Sequence, residues 1–327
     1  MANDKDRLLP RNLLLRQTVA RLLFAAPVLS VIGCAEEDDG GCIPYDAYEG
    51  RYDTHDRLPD GGAPNDLNCL EVCTKLTSHR CQTHSVPTTH PDGGETLEPY
   101  TNCYTTVPAG CGSDGRRPEG LQAARAEAHC ALGSHFARMA WLEAASVPAF
   151  LRLAEELKAH GAPAELIRAA RRSAGEEVRH TRAARALARR HGATVPAVEV
   201  APFSSRSLEA LLWENAKEGC VGETYGALVA GWQARTARDA QVREALSRIA
   251  EDELRHAELS WAVEAWATER LAPDARQRLH EARRDAFHDL ERRVASEEPD
   301  AVLVQEAGLP SRDAALHLLQ GLQVLIA

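Results

Sequence analysis

Two five-residue strings carry the chemistry of this chain. Glu176-Glu177-Val178-Arg179-His180 and Asp252-Glu253-Leu254-Arg255-His256 share one pattern: acid, Glu, apolar, Arg, His. On a helix, residues three apart lie on one face. Glu177 therefore points with His180, and Glu253 with His256. Oxygen and nitrogen donors in this combination suit iron or manganese. Two such Glu-His faces, joined by a lone Glu from each of two further helices, form the ligand set of a di-iron or di-manganese carboxylate centre. The chain must then supply four helices that bring the two faces together.

Helical periodicity runs through the second half of the sequence. The pattern predicts helices over about 119–160, 163–191, 206–236, 239–270, 273–296 and 311–326. The first ends at Gly161 with Pro163 following, and the second closes at Gly192, both ordinary helix stops. Two of the connections are short, so helices 119–160 and 163–191 form one antiparallel hairpin, and 206–236 and 239–270 another. Residues 193–206 are long enough to span roughly 45 Å when extended. That matches a helix of about 28 residues, roughly 42 Å long. The loop thus crosses the length of the helices and joins the hairpins.

The seams of these helices contain acids where apolar residues belong. Val242, Leu246, Ile249, Glu253, His256, Ser260, Val263 and Ala267 step by alternating fours and threes, an inward-facing stripe. Glu253 and His256 occupy it in place of Leu or Ile. Leu132, Phe136, Met139, Glu143, Val147 and Phe150 form a second stripe with one carboxylate. Ile167, Ala170, Ala174, Glu177, Ala184 and Leu187 form a third, with His180 beside Glu177. A buried unpaired carboxylate costs several kcal/mol. Several converging carboxylates need cations. Arginines on neighbouring helices are one source of positive charge and a metal pair is the other. Two motif copies, each in a seam, favour the metal pair.

The third helix offers Glu218 and Glu223. Glu223 and Glu253 lie at matching depths, about 15 residues on either side of the turn near 238. Glu218 would sit about five residues deeper, roughly 7 Å out of level. Glu223 is the expected ligand. Gly219, Gly222 and Gly226 surround it. Each costs nearly 1 kcal/mol in a helix, which is explained by close approach of a substrate or by tight packing of backbones.

The segment 119–270 resembles the ferritin-like di-iron carboxylate superfamily, which includes rubrerythrins, bacterioferritins and soluble desaturases. The resemblance rests on the paired Glu-x-x-His motifs and the lone Glu on each partner helix. It implies a ferritin-like four-helix bundle. It implies that Glu177 and Glu253 bridge two metal ions, that His180 and His256 bind one ion each, and that Glu143 and Glu223 are terminal ligands. Glu176, Arg179, Asp252 and Arg255 would orient the imidazoles from behind. The implied cofactor is two iron ions, or manganese. The motifs are specific for the metal and say little about the reaction.

The N-terminal half reads differently. Lys5, Arg7, Arg11, Arg16 and Arg21 precede a short apolar run over 22–32, which ends Val31-Ile32-Gly33-Cys34. The run is shorter than the ~20 residues a spanning helix needs. The pattern resembles a bacterial lipoprotein signal over 1–33, with Cys34 as the acylated residue. It places the protein in the bacterial cell envelope, with the membrane as partner through a lipid anchor such as palmitate. Residues 34–60, acidic and glycine-rich, read as a tether, and 61–115 as a small loop-rich module. Cys42, Cys69, Cys73, Cys81, Cys103 and Cys111 are even in number, which in an exported chain favours disulfides. A zinc site using Cys69, Cys73, Cys81 and nearby histidines is the rival. Cys130 and Cys220 fall on helices as free buried thiols. Residues 271–327 supply two C-terminal helices.

Composition narrows the function. The net charge is −10 and aromatic residues make up 5%, which argues against nucleic-acid binding. No electron-donor motif, catalytic triad order or phosphate loop is evident, so an electron donor or protein partner is left open. The expected function is an exported di-iron or di-manganese protein acting as an O2- or peroxide-dependent oxidoreductase or a ferroxidase. The alternative is a non-catalytic surface lipoprotein that uses its helices as a scaffold and its Cys-rich module to bind a partner.

Overall fold

The computed structural model describes residues 5–25, 48–54, 57–58, 62–65, 68–73, 78–89, 95–107, 116–122, 124, 126 and 128–326. Cys34, Cys42 and Cys111, and with them the expected acylation site and two of the disulfide candidates, lie outside these residues. The chain is mainly helical and divides into two units, one formed by Ile43–Gly110 and the other by the rest.

The smaller unit is a three-stranded antiparallel sheet in the order β1-β3-β2, formed by β1 (Tyr48–Thr54), β2 (Ser78–Thr89) and β3 (Glu95–Val107). It replaces the expected loop-rich module. It also begins earlier than 61, because β1 takes part of the expected tether. Thr, Tyr and Val, which favour a pleated surface, are spread through segments that Gly, Pro and Asp made look irregular. Pro87 is tolerated because β2 is an edge strand. Pro99 is tolerated because β1 pairs only with residues 101–107 of β3. Cys69 is disulfide-bonded to Cys81, tying the turn Cys69–Val72 to β2. Cys73 is also disulfide-bonded, and Cys103 lies in β3 opposite Cys81. With these thiols oxidised, the zinc alternative has lost its ligands.

The larger unit contains the long helices. Helices α2 (Ala131–Ala159) and α3 (Ala164–Arg190) pack along their length. Gly161 and Gly192 take positive φ just past their ends, as the sequence predicts. Helix α2 begins 12 residues later than 119. Gly120, with φ 79°, cannot continue a helix, and the Cys130 thiol caps the true start by accepting the Gly133 N–H. Cys130 is accordingly half-buried and not a core thiol. The preceding residues 116–122 form a strap with a turn at Glu119-Gly120, where the Leu121 N–H donates to the Pro118 carbonyl. Leu121 bridges Val200, and Gln122 donates its N–H to the Glu199 carbonyl.

The expected third helix is a composite. It consists of α4 (Leu208–Glu214), a π-helical segment Asn215–Glu223, and α5 (Thr224–Thr236). Ser207 caps its start and Asp239 caps α6 (Ala240–Thr268). Helix α6 packs against α5 and the π segment, and its contact with α3 joins the two hairpins. All eight residues of the α6 stripe are buried. In α2, Phe136, Met139, Glu143 and Phe150 are buried, while Leu132 and Val147 are half-buried. Helices α7 (Pro273–Ser296), α8 (Ala301–Gln305) and α9 (Arg312–Ile326) complete the unit. A buried ion pair between Arg283 and Glu264 fastens α7 to α6. Trp213 is 42% exposed, and the Lys217 ammonium lies 5.6 Å from its ring centroid.

Residues Lys5–Ala25, within the expected signal segment, form helix α1, seated against α5, α6 and α9. Leu15 and Val19 are buried among Leu228, Trp232, Trp261, Leu318 and Leu322. A Cβ on Gly231 would collide with Leu23, and one on Gly321 with Leu22, so these glycines admit the leucines. Arg16 makes two hydrogen bonds, 2.5 and 2.7 Å, to the Glu258 carboxylate. Among the described residues no helix is long and apolar enough to cross a membrane.

A chain beginning at Cys34 lacks α1 and uncovers this face. Burial of Leu15 and Val19 is worth about 3–6 kcal/mol together, while the exposed Arg16 pair adds little. The shortened chain is therefore expected to melt at lower temperature and to bind an apolar dye that the full chain excludes. Equal melting temperatures and equal dye binding would show that α1 contributes nothing to the fold.

Candidate metal centre

Four elements deliver the site. Glu143 comes from α2, Glu177 and His180 from α3, Glu223 from the end of the π segment, and Glu253 and His256 from α6. All six are buried, and Glu177, Glu223 and His256 have no exposed surface. They form two overlapping groups. Donor atoms of Glu143, Glu177, His180 and Glu253 lie within 4.8 Å of one another, and so do those of Glu177, Glu223 and His256. Glu177 belongs to both. The structure thus brings together every residue of the expected ligand set, Glu223 among them. Glu218 stands outside, half-buried, accepting the Arg117 N–H at 3.3 Å.

Each imidazole turns Nδ1 inward and Nε2 outward. His180 Nδ1 lies 3.4 Å from Glu143, 3.5 Å from Glu177 and 3.2 Å from Glu253. His256 Nδ1 lies 3.3 Å from Glu177, 3.6 Å from Glu253 and 4.0 Å from Glu223. The outward nitrogens are held across the helix pair. Asp252 of α6 engages His180 Nε2 at 3.0 Å, and Glu176 of α3 engages His256 Nε2 at 3.1 Å. The acid of each motif therefore orients the histidine of the other. Arg179 donates to Asp252 at 3.2 Å, and Arg255 donates to Glu176 at 3.1 Å and to Asp252. The two arginines neutralise these outer acids and not the inner four.

Seven inner atoms lack a hydrogen-bond partner: Glu143 Oε2, both oxygens of Glu177, Glu223 Oε2, Glu253 Oε1, His180 Nδ1 and His256 Nδ1. Buried polar atoms are almost always paired. Orphans that converge on two points have the chemistry of metal ligands, and the donor set of carboxylate oxygen and imidazole nitrogen fits hard and borderline divalent cations. The metal expected from the residues therefore fits the residues present.

Protonation follows from the same crowding. Burial raises the Glu143 carboxyl well above the ordinary range, with Glu177 adding like charge. Burial raises Glu223 likewise, reinforced by Glu253. Burial also works against charge on Glu177 and Glu253, but the facing imidazoles prevail and hold both below the usual carboxylate range. Burial disfavours the charged imidazoles too, yet the surrounding carboxylates prevail and raise His180 and His256. Tyr225 is a packed phenol raised by burial.

Sequence reasoning missed Arg116. It belonged to a stretch without periodicity, where nothing marks a buried side chain. It is fully buried, and its backbone N–H donates to Glu223 Oε1 at 3.0 Å. Its guanidinium donates to Asn215 Oδ1 at 2.6 Å and to Ser260 Oγ at 3.3 Å, and sits 5.6 Å from the Phe150 ring centroid. Phe150 in turn packs on His256 at 4.8 Å. Gly219 makes room, since a Cβ there would strike Arg116 and Ser260.

No known protein-family model matches the chain, and no curated protein or solved structure matches it either.

Metal binding should release protons. The pKa values of His180, His256, Glu143 and Glu223 are shifted upward, so these groups keep their protons to higher pH than ordinary imidazoles and carboxyls do. A metal must displace these protons, so affinity rises with pH. Adding Mn(II) to metal-free protein in weak buffer is expected to acidify the solution. Affinity should rise steadily from about pH 6 to about pH 8. A pH-independent affinity over that range would contradict this protonation scheme.

Proposed function

We propose that the larger unit is a ferritin-like four-helix bundle and that the protein is a di-iron or di-manganese carboxylate protein. The observation that carries this reading is the set of seven buried, unpartnered donor atoms on four helical elements. Glu143 and His180 would hold one ion, Glu223 and His256 the other, and Glu177 and Glu253 would face both. A bound metal pair supplies activation of O2 or peroxide, or oxidation of Fe(II). The residues around it keep water out and fix the donors. Phe150 walls the His256 side, and Asp252 and Glu176 keep each Nδ1 turned inward. The activity we assign is that of an oxidoreductase or ferroxidase. We place it in the cell envelope, lipid-anchored through Cys34, on the strength of the leader sequence alone.

The glutamates distinguish this reading from a scaffold. In a metal centre, apo carboxylates repel one another, and the metal makes them tolerable. Glu253→Ala should then abolish binding of two ions, so that iron no longer raises the variant's melting temperature, although the apo variant also loses the Glu253 contacts to His180 and His256. In a scaffold held by ion pairs, the same change strands a buried charge and costs about 3–5 kcal/mol. Thermal unfolding of both proteins, anaerobically with and without Fe(II), separates the cases. The expected result is a parent stabilised by iron and a variant that ignores it. A parent that ignores iron, with a clearly destabilised variant, contradicts the metal reading.

A further inference from the structure

The two halves of the cluster are not equivalent in what surrounds them. On the Glu223 side, the chain that precedes α2 returns across the site as the strap 116–122. Its far end is tied by main-chain hydrogen bonds, Gln122 to Glu199 and Ala201 to Gly120, both at 2.9 Å. Its near end is tied by the Arg116 side chain together with two backbone contacts, the Arg116 N–H to Glu223 and the Arg117 N–H to Glu218. The Arg116 guanidinium enters the space left by Gly219, bonds Asn215 at the start of the π segment, and reaches Ser260 one turn beyond His256. Asn215 is itself bonded to the Ser260 carbonyl at 2.9 Å. The Arg116 backbone N–H donates to Glu223 Oε1 at 3.0 Å, leaving Oε2 as the oxygen without a partner. A cation enclosed at 0% exposure beside a cation site is costly. Its Nε and Nη1 lack hydrogen bonds, and Glu214 lies 3.7 Å from Nη1.

We propose that Arg116 is a positioning residue that seats the strap against the π segment and thereby holds Glu223 with a single oxygen presented to the cluster. This inference rests on the metal-centre reading and deepens it. One metal position, made by Glu143, Glu177, His180 and Glu253, is complete within the long helices. The other, made by Glu177, Glu223 and His256, depends on a residue outside them. Its occupancy is therefore set separately, through the strap. The π-helical distortion, the glycine at 219 and the buried arginine then have one common purpose.

The test uses Co(II) as probe on the full chain stripped of metal. Wild type is expected to bind two Co(II) ions by calorimetry. Arg116→Ala removes the anchor, and Gly219→Ala dislodges it by filling its space. Both should weaken one ion by at least about tenfold, the scale of lost outer contacts to metal ligands, and leave the other within about twofold. Arg116→Lys, which retains the cation, should recover part of the loss. A merely structural role would lower melting temperature without splitting the two affinities. Hydrogen exchange on the unmodified protein tests the contact without substitutions, and the Arg116 amide should exchange at least about 100-fold more slowly than an open amide. Variants that bind both ions like wild type, or both ions equally weakly, overturn the inference, and so does an unprotected Arg116 amide. A wild type that binds no Co(II) defeats the metal reading itself. Two ions bound by wild type and variants alike defeats only the role of Arg116.

Discussion

Four carboxylates buried at one point are the constraint around which the larger unit is arranged. Glu143, Glu177, Glu223 and Glu253 are each at most 6% exposed. Among the described residues their ion pairs are to His180 and His256 alone. Such a group is unfavourable unless protons or cations neutralise it. In the metal-free protein the upward shifts of Glu143, Glu223, His180 and His256 favour uptake of protons that do so. In the function we propose, metal ions do. The surrounding architecture can be read as what is required to hold this unfavourable group together: two helical hairpins packed through α3 and α6, hydrophobic clusters on either side of the site, and crossed acid–histidine contacts.

The crossed contacts link local sequence to long-range packing. Each motif places its first acid one residue before its ligand Glu, on the adjacent helix face, where it cannot reach its own cluster but can reach the facing helix. Arg179 and Arg255 then neutralise the crossed acids in a partly exposed layer, where solvent moderates their charge. Register between α3 and α6 is thereby tied to imidazole orientation. A slip of either helix would lose both contacts at once, so the site and the packing specify each other.

Legibility from sequence followed the periodicity. The seams of α2, α3 and α6 were readable because a helix repeats its face every three to four residues, and an acid in such a face is conspicuous. Glu223 was readable from hairpin depth, since each residue advances a fixed distance along the axis. The π segment was not, because a single glycine-rich helix pattern does not distinguish one hydrogen-bond register from another. The strap with Arg116 was invisible for a different reason: its partners, Asn215, Ser260 and Glu223, lie about 100 residues or more away, and only the fold brings them together. The sheet of the smaller unit was hidden by Pro and Gly, whose tolerance depends on which strand edge is free.

The most direct measurement is anomalous diffraction from crystals of the full chain loaded with Mn(II), recorded at the manganese edge. The account predicts two peaks about 3.5–4 Å apart, the usual spacing of a two-metal site. One should lie about 2 Å from His180 Nδ1 and bound to Glu143, the other about 2 Å from His256 Nδ1 and bound to Glu223. Density without metal at this point, with water or arginine partners on the four glutamates, would contradict it.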